Sequence, residues 1–94
     1  MTDLFVSKSK TVASNIRKIR EFRNYTQDYL AAKIGISQNA YSKIELGYSK
    51  ITLDRLFNIA AILDIKAVQL IDHESSDLIR ILSEGEELET SSSA

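Results

Sequence analysis

The sequence predicts an all-α chain, and three observations carry that prediction. Apolar residues recur at three- and four-residue spacings over most of the length. Thr or Ser precedes most of these runs and Gly or Asn follows them, the residue types that start and stop helices. No stretch sustains the period-two alternation of a half-buried strand, and there is no proline.

The elements follow in order. Val12, Ile16, Ile19 and Phe22 share one face of a first helix, with Ser9 or Thr11 as N-cap and Asn24 as its stop. Residues 1–10 are then an N-terminal arm or the start of that helix, and Lys8 and Lys10 read as residues of a mobile arm. Thr26 caps a second helix, QDYLAAKI, in which Leu30, Ala31 and Ile34 share a face. Gly35 stands where a helix commonly ends in a left-handed residue. Ser37 caps the third helix, Gln38 to Leu46, and Gly47 closes it. Thr52 caps the fourth, Leu53 to Leu63, with Leu53, Phe57 and Ala60 as its expected inner face and Ile59 and Ile62 as surplus apolar surface. A fifth helix runs from Ala67 to Asp72. SSDLIRILSE then offers a short sixth, while the acidic, serine-rich EGEELETSSSA is expected to be a disordered tail over 86–94.

Ninety-four residues suit one domain with a modest core. The chain has no apolar run long enough to span a membrane and no secretory signal pattern, so no membrane partner is expected. It has no cysteine, which suits a reducing cytoplasm. The net charge of −1 conceals an asymmetry. Residues 1–50 carry nine Lys/Arg against four acids, and residues 51–94 carry three against nine. A basic half beside an acidic half fits a polyanion bound through one face.

On a helical wheel of ~100° per residue, Gln38, Asn39, Ser42 and Lys43 fall on one arc of the third helix, with Leu46 in its middle. Ala40, Tyr41, Ile44 and Glu45 occupy the other side, which packs. A row of amides, hydroxyl and ammonium on a narrow helix suits the major groove. There Asn and Gln pair with adenine and Lys donates to guanine. Nothing points to catalysis: the chain has no Gly-rich phosphate loop, metal-ligand spacing or paired nucleophile and base. His73, the single histidine, reads as an exposed helix-end residue. No cofactor or metal is expected, and the chain is not read as an enzyme.

IRKIREFRNYTQDYLAAKIGIS, the SKIELG that follows, and ITLDRLFNIAAILDI leading to AVQLI together resemble the phage-repressor and Cro-like (XRE-type) helix-turn-helix DNA-binding family. The likeness runs from about Val12 to Asp72. Leu30, Ala31, Ile34, Gly35, Ile36, Tyr41 and Ile44 all stand where the family's motif has such residues. The resemblance implies a compact five-helix, repressor-like domain over 11–72 whose second and third helices form the helix-turn-helix. It also implies double-stranded DNA as partner and a bacterial or phage-encoded, cytoplasmic regulator. Gln38, Asn39, Ser42 and Lys43 are the expected base readers. Gln27 at the start of the second helix and Tyr48, Ser49 and Lys50 beyond the third are the expected phosphate contacts. Arg17, Lys18 and Arg23 are assigned steering charge alone. An ion pair between Arg20 and Glu45, tying the first helix to the third, is implied by the resemblance. Four positions depart from the family pattern: Tyr41 is usually aliphatic, Leu46 usually polar, Ile51 often proline and Asp64 often glycine.

One reading head covers few base pairs, so a homodimer on a palindromic operator is expected. Its interface is assigned to Val68, Leu70, Ile71, Leu78, Ile79, Ile81 and Leu82, with 73–85 as the dimerisation helix. The other arrangement folds residues 78–82 back on their own core. The expected function is a sequence-specific transcriptional regulator, a repressor or autoregulator. The alternatives are a restriction–modification controller, an antitoxin-type regulator, or a protein-interaction adaptor that does not read DNA.

Overall fold

The computed structural model describes the backbone of residues 2–72 and 74–92 and the side chains of residues 8–72, 74 and 76–85. Its described residues form six helices and no strand: α1 (Thr2–Phe22), α2 (Gln27–Ile34), α3 (Gln38–Glu45), α4 (Leu53–Ile62), α5 (Ala67–Asp72) and α6 (Ser75–Ser92). Helix α1 packs on α3, α5 and α6; α2 packs on α3 and α4; α4 packs on α5. The core between them is built from Ile16, Ile19, Leu30, Tyr41, Ile59, Leu63, Leu70 and Leu78, all fully buried, with Ala31, Ile44, Leu56 and Ala60 closing the gaps.

Local chemistry explains the boundaries. Thr26, Ser37 and Thr52 each stand in extended backbone ahead of a helix, and each side-chain oxygen accepts from the N–H three residues on: Tyr29, Ala40 and Arg55 respectively. Each therefore satisfies one of the four N–H groups that a helix start leaves without a partner. At the other end, α1, α2, α3 and α4 stop by one device. Asn24, Gly35, Gly47 and Asp64 have φ of 62°, 74°, 78° and 56°. The next residue then donates back to the carbonyl five positions earlier, as Ile36 does to Ala31 and Tyr48 to Lys43. At Gly35 no neighbour crowds the position; the left-handed backbone alone favours glycine there.

Several expectations are corrected. Helix α1 begins at Thr2, so Ser9 and Thr11 cap nothing, and Lys8 and Lys10 ride on a helix instead of a mobile arm. The Lys8 Nζ donates to the Ile71 carbonyl at 2.8 Å, tying α1 to the end of α5. In α4 the inward positions are Leu56, Ile59, Ala60 and Leu63, while Leu53 and Phe57 are 68% and 56% exposed. Helix α6 runs to Ser92, longer than the short segment expected. The tail expected over 86–94 lies outside the residues whose side chains are described, and His73 lies outside the described residues.

The apolar surface assigned to a partner divides. Leu70 and Leu78 are fully buried by their own chain and offer nothing to a second copy. Ile71, Ile79 and Leu82 are half-buried and pack against the same core, Ile81 is half-buried, and Val68 is 52% exposed. Residues 78–82 thus fold back on the domain, because α6 lies along α1. Leu78→Ala is therefore expected to cost about 2–5 kcal/mol in urea unfolding, independently of protein concentration. A loss that disappears on dilution would instead place Leu78 between chains.

Candidate nucleic-acid interface

Helix α3 has one packed side and one open side. Tyr41, Ile44 and Glu45 are buried, Ala40 and Ser42 are half-buried, and Gln38, Asn39, Lys43 and Leu46 are exposed. Among the described residues none bonds to the side chains of Gln38, Asn39, Ser42 or Lys43. The four residues expected to read bases therefore lie together along one helix with their donors and acceptors uncommitted, Ser42 more covered than the others.

The packed side is fixed by a charged clamp. Arg20 Nε donates to Glu45 Oε2 at 2.7 Å and Arg20 Nη2 to Glu45 Oε1 at 3.2 Å, a bidentate pair. Arg20 Nη1 also donates to the Tyr25 carbonyl at 2.8 Å, so one guanidinium holds α3 and the turn after α1 together. The Glu45 side chain is 1% exposed and that of Arg20 is 12% exposed. The hydrogen bonds to Glu45 raise the Arg20 pKa above its usual value, outweighing the opposite effect of burial. The implied ion pair is present in the structure.

Gln27 opens α2 as expected and has a further contact. Its Nε2 donates to Glu45 Oε1 at 3.1 Å, making the amide a third donor to the buried carboxylate. What the start of α2 keeps open is backbone: the Thr26 hydroxyl takes up the Tyr29 N–H, ahead of which lie the N–H groups of Gln27 and Asp28. Tyr48, Ser49 and Lys50 are all exposed in the loop after α3. The stem of Lys10 approaches that loop: its Cγ lies 3.8 Å from where a Cβ on Gly47 would stand.

Arg23, expected to supply steering charge alone, is a fastener. Its Nε donates to the Leu63 carbonyl at 3.0 Å and its Nη2 to the Asp64 carbonyl at 3.3 Å, pinning α1 to the end of α4. Arg17 forms an exposed pair with Glu21 at 3.7 Å, and Lys18 is exposed. Two more fasteners escaped the sequence reading. Arg55 Nη1 donates to the Ile34 carbonyl at 3.2 Å, and the buried Asn15 Nδ2 donates to the Leu70 carbonyl at 2.9 Å. Asn15 left one signal, an amide beside the apolar stripe of Val12, Ile16 and Ile19. Arg55 left none.

The Tyr41 hydroxyl is buried and finds no hydrogen-bond partner among the described residues. Burial pushes its pKa far up, and the neighbouring Glu45 carboxylate adds to that, so the phenol stays protonated. Among the described residues no group of His, Cys, Asp or Glu is arranged to hold a metal ion. No described helix is long and apolar enough to cross a membrane.

Comparison with known proteins agrees with this geometry. A family model described as Helix-turn-helix matches residues 16–70, from the first core isoleucine of α1 to Leu70 of α5. The chain is also similar to a protein of Bacillus subtilis (strain 168) named uncharacterized HTH-type transcriptional regulator YqaE. The two are 34% identical over 67 residues, 71% of this chain and 58% of that protein. The chain thus spans a little under three-fifths of the relative's length.

Two stability predictions follow from the clamp. Arg20→Met is expected to lose about 3–5 kcal/mol by urea unfolding, since it leaves the Glu45 carboxylate buried and short of donors. Adding Glu45→Leu should recover most of that loss; no recovery would mean Arg20 acts through packing alone. Tyr41→Phe should leave stability unchanged or raise it by about 1 kcal/mol, because it removes an unpartnered buried hydroxyl. A loss above ~1 kcal/mol would reveal a partner for that oxygen.

Proposed function

The chain belongs to the XRE-type helix-turn-helix family, and from that premise we propose that it is a sequence-specific DNA-binding transcriptional regulator acting as a homodimer on a palindromic operator. One observation carries the proposal. Gln38, Asn39 and Lys43 are exposed and unengaged on a helix whose opposite side is clamped at Glu45. A surface helix with no ligand to orient does not require such a clamp. A reading head does, because base contacts tolerate little misplacement.

In this reading the open face of α3 enters the major groove. Asn39 and Gln38 address adenine edges, Lys43 addresses guanine, and Ser42 takes a supporting contact. The backbone N–H groups at the start of α2 hold one phosphate, and Tyr48, Ser49 and Lys50 hold the backbone on the far side. Gln27 supports the clamp and, through it, the angle of α3. Val68 and the part-covered Ile71, Ile79, Ile81 and Leu82 remain available to a second copy, and two heads related by a two-fold axis meet half-sites about 34 Å apart. Repression or autoregulation is the mode of action in this reading. The protein acts in the cytoplasm.

Selection from a random duplex pool, with the mass of the selected complex measured in solution, tests the whole reading. Two copies on a palindrome are expected; one copy, or no enriched sequence, overturns it. Within the selected site, Asn39→Ala or Lys43→Ala should each cost about 1–3 kcal/mol and relax preference at one position per half-site. Lys50→Ala should weaken all duplexes alike and reduce the salt slope by about 1. Uniform losses in all three variants would show that the division into readers and anchors is wrong.

A further inference from the structure

A cleft of about 490 Å³ lies between the N-terminal half of α1 and the loop after α3, lined on one side by Lys8, Ser9 and Val12 and on the other by Tyr48–Ile51, with Leu56 and Ile71 completing it. That volume is within the range of small-molecule sites. The chemistry of its lining is uneven in a useful way. Val12, Ala13, Ile51, Leu56 and Ile71 give apolar walls, whereas every charged residue among the lining is a lysine, Lys8 or Lys50. No carboxylate lines it among the described residues.

The two lysines differ in how they are held. Lys8 Nζ is anchored on the Ile71 carbonyl at 2.8 Å, which engages one of its three N–H donors and leaves two. Lys50 is exposed on the opposite side and makes no hydrogen bond among the described residues. An anchored cation and an unanchored one beside an apolar recess complement a molecule with one apolar body and one anionic head. Neither a bare phosphate, which would leave the walls wet, nor a neutral hydrocarbon, which would ignore the lysines, satisfies both halves.

We propose that this cleft binds a small amphipathic carboxylate, its apolar body between Val12 and Ile71 and its head between Lys8 and Lys50. Ser9 and Ser49 also belong to the lining, and hydroxyls there can donate to the same head. One wall of the cleft is the loop Gly47–Ile51, which the function proposed above places on the DNA backbone. Resting on that reading, the ligand takes Lys50 from its phosphate and weakens duplex binding, and the duplex weakens the ligand by the same factor.

The binding is tested first without DNA. Decanoate, kept below its micelle concentration, is titrated into the full chain while the methyl resonances of Ile51, Leu56 and Ile71 are followed. Saturable shifts at these three are expected, decyltrimethylammonium should produce none, and Lys50→Glu should weaken decanoate about fivefold or more. Ser9→Trp, filling the cleft from an exposed helical position, should abolish the shifts while thermal unfolding by circular dichroism stays near that of the parent. No saturable shift, an equal response to the cation, or unchanged binding in Ser9→Trp would each overturn the proposal. In a second arm decanoate should lower affinity for a selected duplex. Unchanged affinity with the cleft occupied would overturn the coupling. A protein that binds no duplex at all would instead defeat the function proposed above, and the methyl shifts would still decide the cleft.

Discussion

A single buried carboxylate sets the geometry of this domain. Glu45 has left water almost completely, and ionised carboxylates do so only when their oxygens are supplied with donors. Three are present: Nε and Nη2 of Arg20 and the amide of Gln27. They come from two different helices, so the carboxylate finds all its partners only when α1, α2 and α3 are arranged in one way. A hydrophobic contact of similar area would hold those helices together but let them slide. The desolvation cost of such a pair roughly cancels its attraction. Its contribution is therefore orientation, and the net stability of the domain comes mainly from the apolar cluster of Ile16, Ile19, Leu30, Ile59, Leu63, Leu70 and Leu78.

The same economy governs the helix ends. Short helices leave a large share of their carbonyls without partners inside the helix, and four of those here are ten residues or fewer. Left-handed residues at Asn24, Gly35, Gly47 and Asp64 turn the chain so that following N–H groups cover some of these carbonyls. Side chains from elsewhere in the chain cover more: Arg55 takes Ile34, Arg23 takes Leu63 and Asp64, Asn15 takes Leu70 and Lys8 takes Ile71. Each such bond settles a terminal carbonyl and joins two elements at once. A chain with no disulfide gains its cross-links this way.

What could be read in advance follows from this division. The caps at Thr26, Ser37 and Thr52 and the stops at Asn24, Gly35 and Gly47 act on neighbours a few residues away, so their chemistry is visible in the sequence, and α2 and α5 have the expected limits. The start of α1 was obscured by the same rule: Ser9 and Thr11 look like caps, yet nothing in their neighbourhood stops the helix from continuing upstream. The inner face of α4 was misassigned because Leu53 and Phe57 are bulky. The inward set of Leu56, Ile59, Ala60 and Leu63 is instead selected by α2 and α5, which lie elsewhere in the chain. The arginine fasteners were illegible for a stricter reason. Their partners are backbone carbonyls, and a carbonyl has no residue type. At the candidate interface the exposed row of Gln38, Asn39 and Lys43 was readable from the wheel, whereas the use of Gln27 on Glu45 required knowing that α2 and α3 meet there.

The position of the clamp along α3 matters as much as its strength. Glu45 is the last residue of the helix and Gln38 the first, seven steps away, or about 10 Å at the rise of an α-helix. A tilt of about 10° about the clamped end would move Gln38 by roughly 2 Å, several times the tolerance of a hydrogen bond to a base edge. The far end must therefore be held as well. Gly35 and Ile36 supply that second point: the Ile36 N–H returns to Ala31, and the partly buried Ile36 side chain packs against the core immediately before the Ser37 cap. Helix α3 is thus fixed by charge at one end and by a short, hydrogen-bonded turn at the other. The exposed side chains between those points inherit their direction from both. An eight-residue helix with little cohesion of its own becomes a stiff presenting edge because neither end is free.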